Sequence, residues 1–107
     1  MRITNWNIEA MTGYKPKTTF YEDFSIADRF GVSAVRDTYR RGLIAAEAFG
    51  YDYLTEFVMV LNWKIWEHFE SNEPLARVYN DLWEEASIYA QEHLEGEELA
   101  YYYRTTD

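Results

Sequence analysis

The chain contains no cysteine, which excludes disulfides, thiolate metal sites and thiol nucleophiles together and fits a reducing compartment. Residues that interrupt structure are also scarce. The five glycines (Gly13, Gly31, Gly42, Gly50, Gly96) are isolated, and the two prolines (Pro16, Pro74) fall between periodic segments. No phosphate-cradling glycine loop and no flexible linker can be built from them. Only two histidines occur, His68 and His93, and neither belongs to a His-x-x-x-His or Glu-x-x-His pair, the spacings of helical zinc and di-iron sites. No metal and no cofactor is therefore expected. The longest strictly apolar run, Phe57–Leu61, is far shorter than the roughly 20 residues of a membrane span. The first residues carry no long apolar stretch. No membrane association and a cytoplasmic location are expected.

What remains is material for one hydrophobic core. The 107 residues are 48% hydrophobic and include four Trp, ten Tyr and six Phe, enough for a single domain spanning residues 1–107. The periodicity is helical throughout, with no alternating β-branched run. The spacing predicts an all-α fold, a small bundle of about four helices with a short N-terminal helical segment (5–12) and a C-terminal tail. Thr19-Phe20-Tyr21-Glu22 has capping-box spacing and opens a helix over 20–30, with Phe20, Phe24, Ala27 and Phe30 on one face and Gly31 as its stop. Ser33 caps a helix over 34–49, whose buried side carries Val35, Tyr39, Ala46 and Phe49. Gly42, Ala45, Ala46 and Ala48 give it a small-residue surface for close approach. Asp52 opens a third helix to about residue 70, with Leu54, Phe57, Val58, Leu61, Ile65 and Phe69 as its main stripe. After the break at 71–74, a fourth helix over 74–94 buries Leu75, Val78, Tyr79, Leu82, Ala86, Tyr89, Ala90 and His93. Residues 97–103 add a further turn.

Charge is segregated. The net charge is −9, yet residues 1–64 hold eight acidic and eight basic side chains, whereas residues 65–107 hold eleven acidic and two basic. Asp81, Glu84, Glu85 and Glu92, with Glu95, Glu97 and Glu98 beyond, fall off the apolar stripe of the fourth helix and form an exposed negative ridge. Such a ridge is a solvated face, a dock for a basic protein surface, or an imitation of a nucleic-acid backbone that blocks a host defence nuclease. A second stripe on the third helix, Met59, Trp63 and Trp66, is either covered by the N-terminal segment around Trp6 or is an interface for a partner or a second copy.

Residues 25–37 resemble the helix-turn-helix of bacterial DNA-binding regulators, with Ala27, the turn Gly31 and the Val32-Ser33 start in matching places. That resemblance implies phosphate contacts from Arg36, Arg40 and Arg41. The chain departs from the pattern at Asp37, where the family buries an aliphatic residue, and the acidic C-terminal field opposes DNA. Nucleic acid is not the expected partner. No carboxylate pair, nucleophile–base pair or phosphate loop is marked by spacing, so the chain is not expected to be an enzyme.

The stretches Asn5–Phe20 and Leu75–Trp83 resemble an uncharacterised group of small acidic proteins carried on conjugative and other mobile elements of gram-positive gut bacteria, over nearly the whole chain. The resemblance implies genomic setting and no activity. The reading that follows is a non-enzymatic accessory protein of a mobile element, binding a protein partner through the acidic helix face or the aromatic patch. The nuclease-blocking mimic and the DNA-binding regulator are its alternatives.

Overall fold

The computed structural model describes residues 20–106, all helices and short connections: α1 (Phe20–Asp28), α2 (Val32–Phe49), α3 (Tyr51–His68), α4 (Glu73–His93) and α5 (Glu97–Thr106). Among the described residues there is no strand, and no helix is long and apolar enough to cross a membrane. The all-α expectation holds. The helix expected over 5–12 and the capping residue Thr19 lie outside the described residues.

The stops are made by backbone that other residues resist. Gly31 at φ +100° separates α1 from α2, and Gly50 at φ +131° is the single residue between α2 and α3, conformations costly for any residue with a Cβ. Gly31, not Ser33, stands at the N-cap of α2, with no side-chain cap. The helix starts two residues earlier than expected because Val35 N–H already donates to the Gly31 carbonyl at 3.1 Å. At the start of α4 the Asn72 side chain accepts from Leu75 N–H at 3.3 Å, and Pro74 occupies the first turn, where its missing N–H is no loss. The expected short tail is a ten-residue helix, α5.

Helix α3 is the hub, packing against all four other helices and most extensively against α4 and α2. Phe57 of α3 lies at the centre, fully buried. Its ring meets Phe20 edge-on at 5.1 Å and stacks on Tyr39 at 5.7 Å. Gly42 of α2 faces the same ring so closely that a Cβ there would lie 2.5 Å from it. Gly42, flanked by the buried Ala45 and Ala46, is thus what lets α3 approach, whereas Ala48 of the expected small-residue surface is exposed.

Three stripes run past the core. Phe30 is 75% and Phe69 59% exposed, and His93 is exposed as well. All three sit at or just beyond helix ends, where the neighbouring element no longer covers the apolar face. The opposite surprise is Lys64, which is fully buried.

Candidate functional site

Two features stand out: a charged cluster under α1 and an aromatic surface on the outer side of α3. The cluster forms where α1 crosses α3 and α4. Phe24 and Asp28 are one turn apart on α1, so Asp28 rides on the helix's apolar face. Lys64 follows Val60 and Leu61 on α3 in the same way. When the two helices pack, Lys64 Nζ comes to 2.7 Å from Asp28 Oδ2 and 3.1 Å from Ser25 Oγ, and it pairs with Glu67. Asp28 also meets His68 Nε2 at 2.8 Å and accepts from the Tyr79 hydroxyl at 2.5 Å. Tyr21 donates to Glu67, and its ring lies 4.8 Å from the ammonium, a favourable cation–π contact.

Burial opposes the charged form of Lys64, but hydrogen bonds and charge from Asp28 and Glu67 outweigh it and hold the pKa above the ordinary lysine value. Burial likewise acts to raise Glu67, and the bonds from Lys64 and Tyr21 more than reverse it, so its pKa lies below the usual range. Tyr79 is pushed up by burial and by its bond to Asp28. A lysine held this way is an ammonium, not a nucleophile. Asp28, Glu67 and His68 bring possible metal-ligand atoms within 4.8 Å of one another, but the ammonium of Lys64 already sits against two of these three groups. With no exposed surface, that ammonium has no direct contact with water to which a metal could displace it. The cluster is an ion-paired clasp joining α1, α3 and α4. No pattern of apolar residues points to it. The signal was two opposite charges embedded in the apolar stripes of two helices.

The aromatic residues named from the sequence divide between two hollows. Met59 and Trp63, the latter 46% exposed, line a cleft of about 520 Å³ with Trp83 of α4 and Tyr102 and Tyr103 of α5. Its far wall is tied by a hydrogen bond between the Ser87 and Tyr102 hydroxyls at 2.9 Å and by one from the Tyr103 hydroxyl to Gln91 Oε1 at 3.3 Å. Trp66 turns elsewhere. It is 66% exposed and packs on Phe69 with ring centroids 5.4 Å apart. Phe69 in turn borders a hollow of about 510 Å³ between α3 and α4, floored by Ile65 and Ala76 and edged by Glu73, Arg77, Asn80 and Asp81. The matching hollow on the other side of Phe69 is lined by Trp66, Glu67 and Glu70. Trp6, expected as a cover, lies outside the described residues.

The ridge residues Asp81, Glu84, Glu85 and Glu92 are all exposed on α4. Only Glu84 has a described hydrogen-bond partner, Asn80 at 3.5 Å. At the α1–α2 corner, Arg36 and Arg40 are exposed beside Phe30 and Val32. Arg41 is drawn to Asp37 at 3.4 Å. Val35, two residues before Asp37, is the buried aliphatic there.

Compared with known proteins, the chain matches no family model, no curated protein and no solved structure.

Proposed function

We propose that this chain is a non-enzymatic accessory protein that binds a protein partner through the outer aromatic face of α3, in the mobile-element setting its sequence resemblance implies. One observation carries the reading. Trp66 and Phe69 are 66% and 59% exposed, in mutual contact, and continuous with the apolar floor of Ile65 and Ala76. Large aromatic side chains on a surface cost hydration free energy, and clusters of them beside an apolar hollow are the usual anchors of protein interfaces. The cluster of titratable groups around Lys64 is consumed in joining helices, which supports a binding role over a catalytic one.

The test is site-specific photocrosslinking. A photoreactive phenylalanine at position 66 is expected to trap a discrete partner from a host-like lysate. The trapping disappears when Phe69→Ser is added, and the same probe at Ile44, an equally exposed position on α2 (60%), traps nothing in common. Identical products at both positions, or none at position 66, would remove the reading.

A further inference from the structure

Resting on that reading, we infer that the segment received between α3 and α4 is a basic amphipathic helix of the partner. The first ground is charge. The two hollows flanking Phe69 are lined by Glu67, Glu70, Glu73 and Asp81 against one cation, Arg77. Arg77 is engaged within its own helix by Glu73 at 2.5 Å, and Glu67 is paired with the buried Lys64, so the carboxylates with no described ion-pair partner are Glu70 in one hollow and Asp81 in the other. The surface around the aromatic anchors is therefore negative on both sides, and it belongs to the half of the chain that holds the whole net charge of −9. An acidic or neutral segment laid there would place like charge against carboxylates or leave them unanswered, whereas lysines and arginines flanking an apolar stripe would meet them.

The second ground is shape. The edge residues of the α3–α4 hollow run from Glu73 to Asp81 along α4, about 12 Å at 1.5 Å per residue, or two helical turns. That length accepts apolar anchors at i, i+3 or i+4 and i+7 of a helix lying in the groove. Ile65 and Ala76 form its floor and Phe69 the wall the anchors pack on, with Trp66 packed against Phe69 from the neighbouring hollow.

The inference is tested with the full chain and synthetic probes at 150 mM salt, followed by NMR of the tryptophan indoles and by anisotropy of labelled peptide. An 18-residue Leu/Lys peptide with helical amphipathic spacing is expected to bind and to shift the indole resonance of Trp66 most. Its Leu/Glu counterpart and a Ser/Lys peptide of equal charge are each expected to bind at least tenfold more weakly. Trp66→Ser with Phe69→Ser weakens the Leu/Lys peptide at least tenfold, and Glu70→Gln with Asp81→Asn weakens it at least threefold. Glu97→Gln with Glu98→Gln on α5 removes the same charge elsewhere and leaves binding unchanged. Equal binding of the Ser/Lys peptide, or an equal loss in the α5 variant, would show attraction to net charge alone and overturn the inference. If crosslinking at position 66 captures a partner through an acidic or uncharged segment, the basic helix is refuted while the interface stands. If nothing is captured there, both fall.

Discussion

Replacing Lys64 by Met tests whether the clasp holds the bundle together. Met fills most of the volume of the lysine stem, so the apolar packing is largely kept. The charge-assisted bonds to Asp28 at 2.7 Å and to Glu67 disappear, and so does the contact with Ser25 at 3.1 Å. Hydrogen bonds to charged groups contribute about 1.5–3 kcal/mol each. The Glu67 side chain is 37% exposed, so solvent screens its share and much less than the full value is lost there. Asp28 keeps His68 and Tyr79 as partners, which limits the penalty for its stranded charge. The expected loss is about 2–4 kcal/mol, near the lower edge of the range for breaking a buried pair. At about 4 °C per kcal/mol for a domain of this size, the melting temperature falls by roughly 10 °C. Urea unfolding followed by circular dichroism at 222 nm measures both. Neutralising the carboxylates as well, in Lys64→Met with Asp28→Asn and Glu67→Gln, should bring stability back to within about 1 kcal/mol of the parent, since no unpaired charge remains. A Lys64→Met protein as stable as the parent would refute the account of the clasp. So would a triple variant weaker than the single one.

The remaining expectations are narrower. Glu67 has its pKa lowered in the folded state, so its contribution is complete above its ordinary value of 4.5 and vanishes as pH falls through the folded value. Stability curves of the parent and Glu67→Gln should converge at acid pH and separate towards neutrality; parallel curves from pH 3 to 7 would contradict this. Gly42→Ala gains up to about 1 kcal/mol of helix propensity but drives a Cβ to within 2.5 Å of the buried Phe57 ring. The expected result is a net destabilisation of about 1–2 kcal/mol, read from the urea midpoint. A stabilised variant would mean that α2 and α3 are not in close contact. Trp66→Ser with Phe69→Ser, in contrast, should leave folding stability within about 0.5 kcal/mol, because neither side chain belongs to the core; a large loss would show that the patch is structural.

Much of the fold was legible because helices announce themselves locally. In α4, Leu75, Val78, Tyr79, Leu82, Ala86 and Ala90 recur at the helical period, and all six are buried. The breaks at Gly31, Gly50 and Asn72 to Pro74 followed from backbone chemistry that a few neighbouring residues suffice to express. The outward position of Asp81, Glu84, Glu85 and Glu92 could be read in the same way, as the face opposite that stripe. Trp63 and Trp66 were placed correctly off the main stripe of α3, but their separation into different hollows was not visible. It arises because α5 closes over Met59 and Trp63 and not over Trp66.

The spacing of side chains along the chain determined which residues form rods, where each rod stops, and which side of it prefers water, since these depend on contacts within a few residues. Tertiary packing alone decided how far each apolar face is covered, leaving Phe30 and Phe69 in solvent. It also decided that a lysine belongs in the interior. A buried ammonium is tolerable only when opposite charges arrive from elsewhere, and Asp28 is contributed by a helix 36 positions earlier in the sequence. No local pattern encodes that meeting, because it exists only once the helices have crossed.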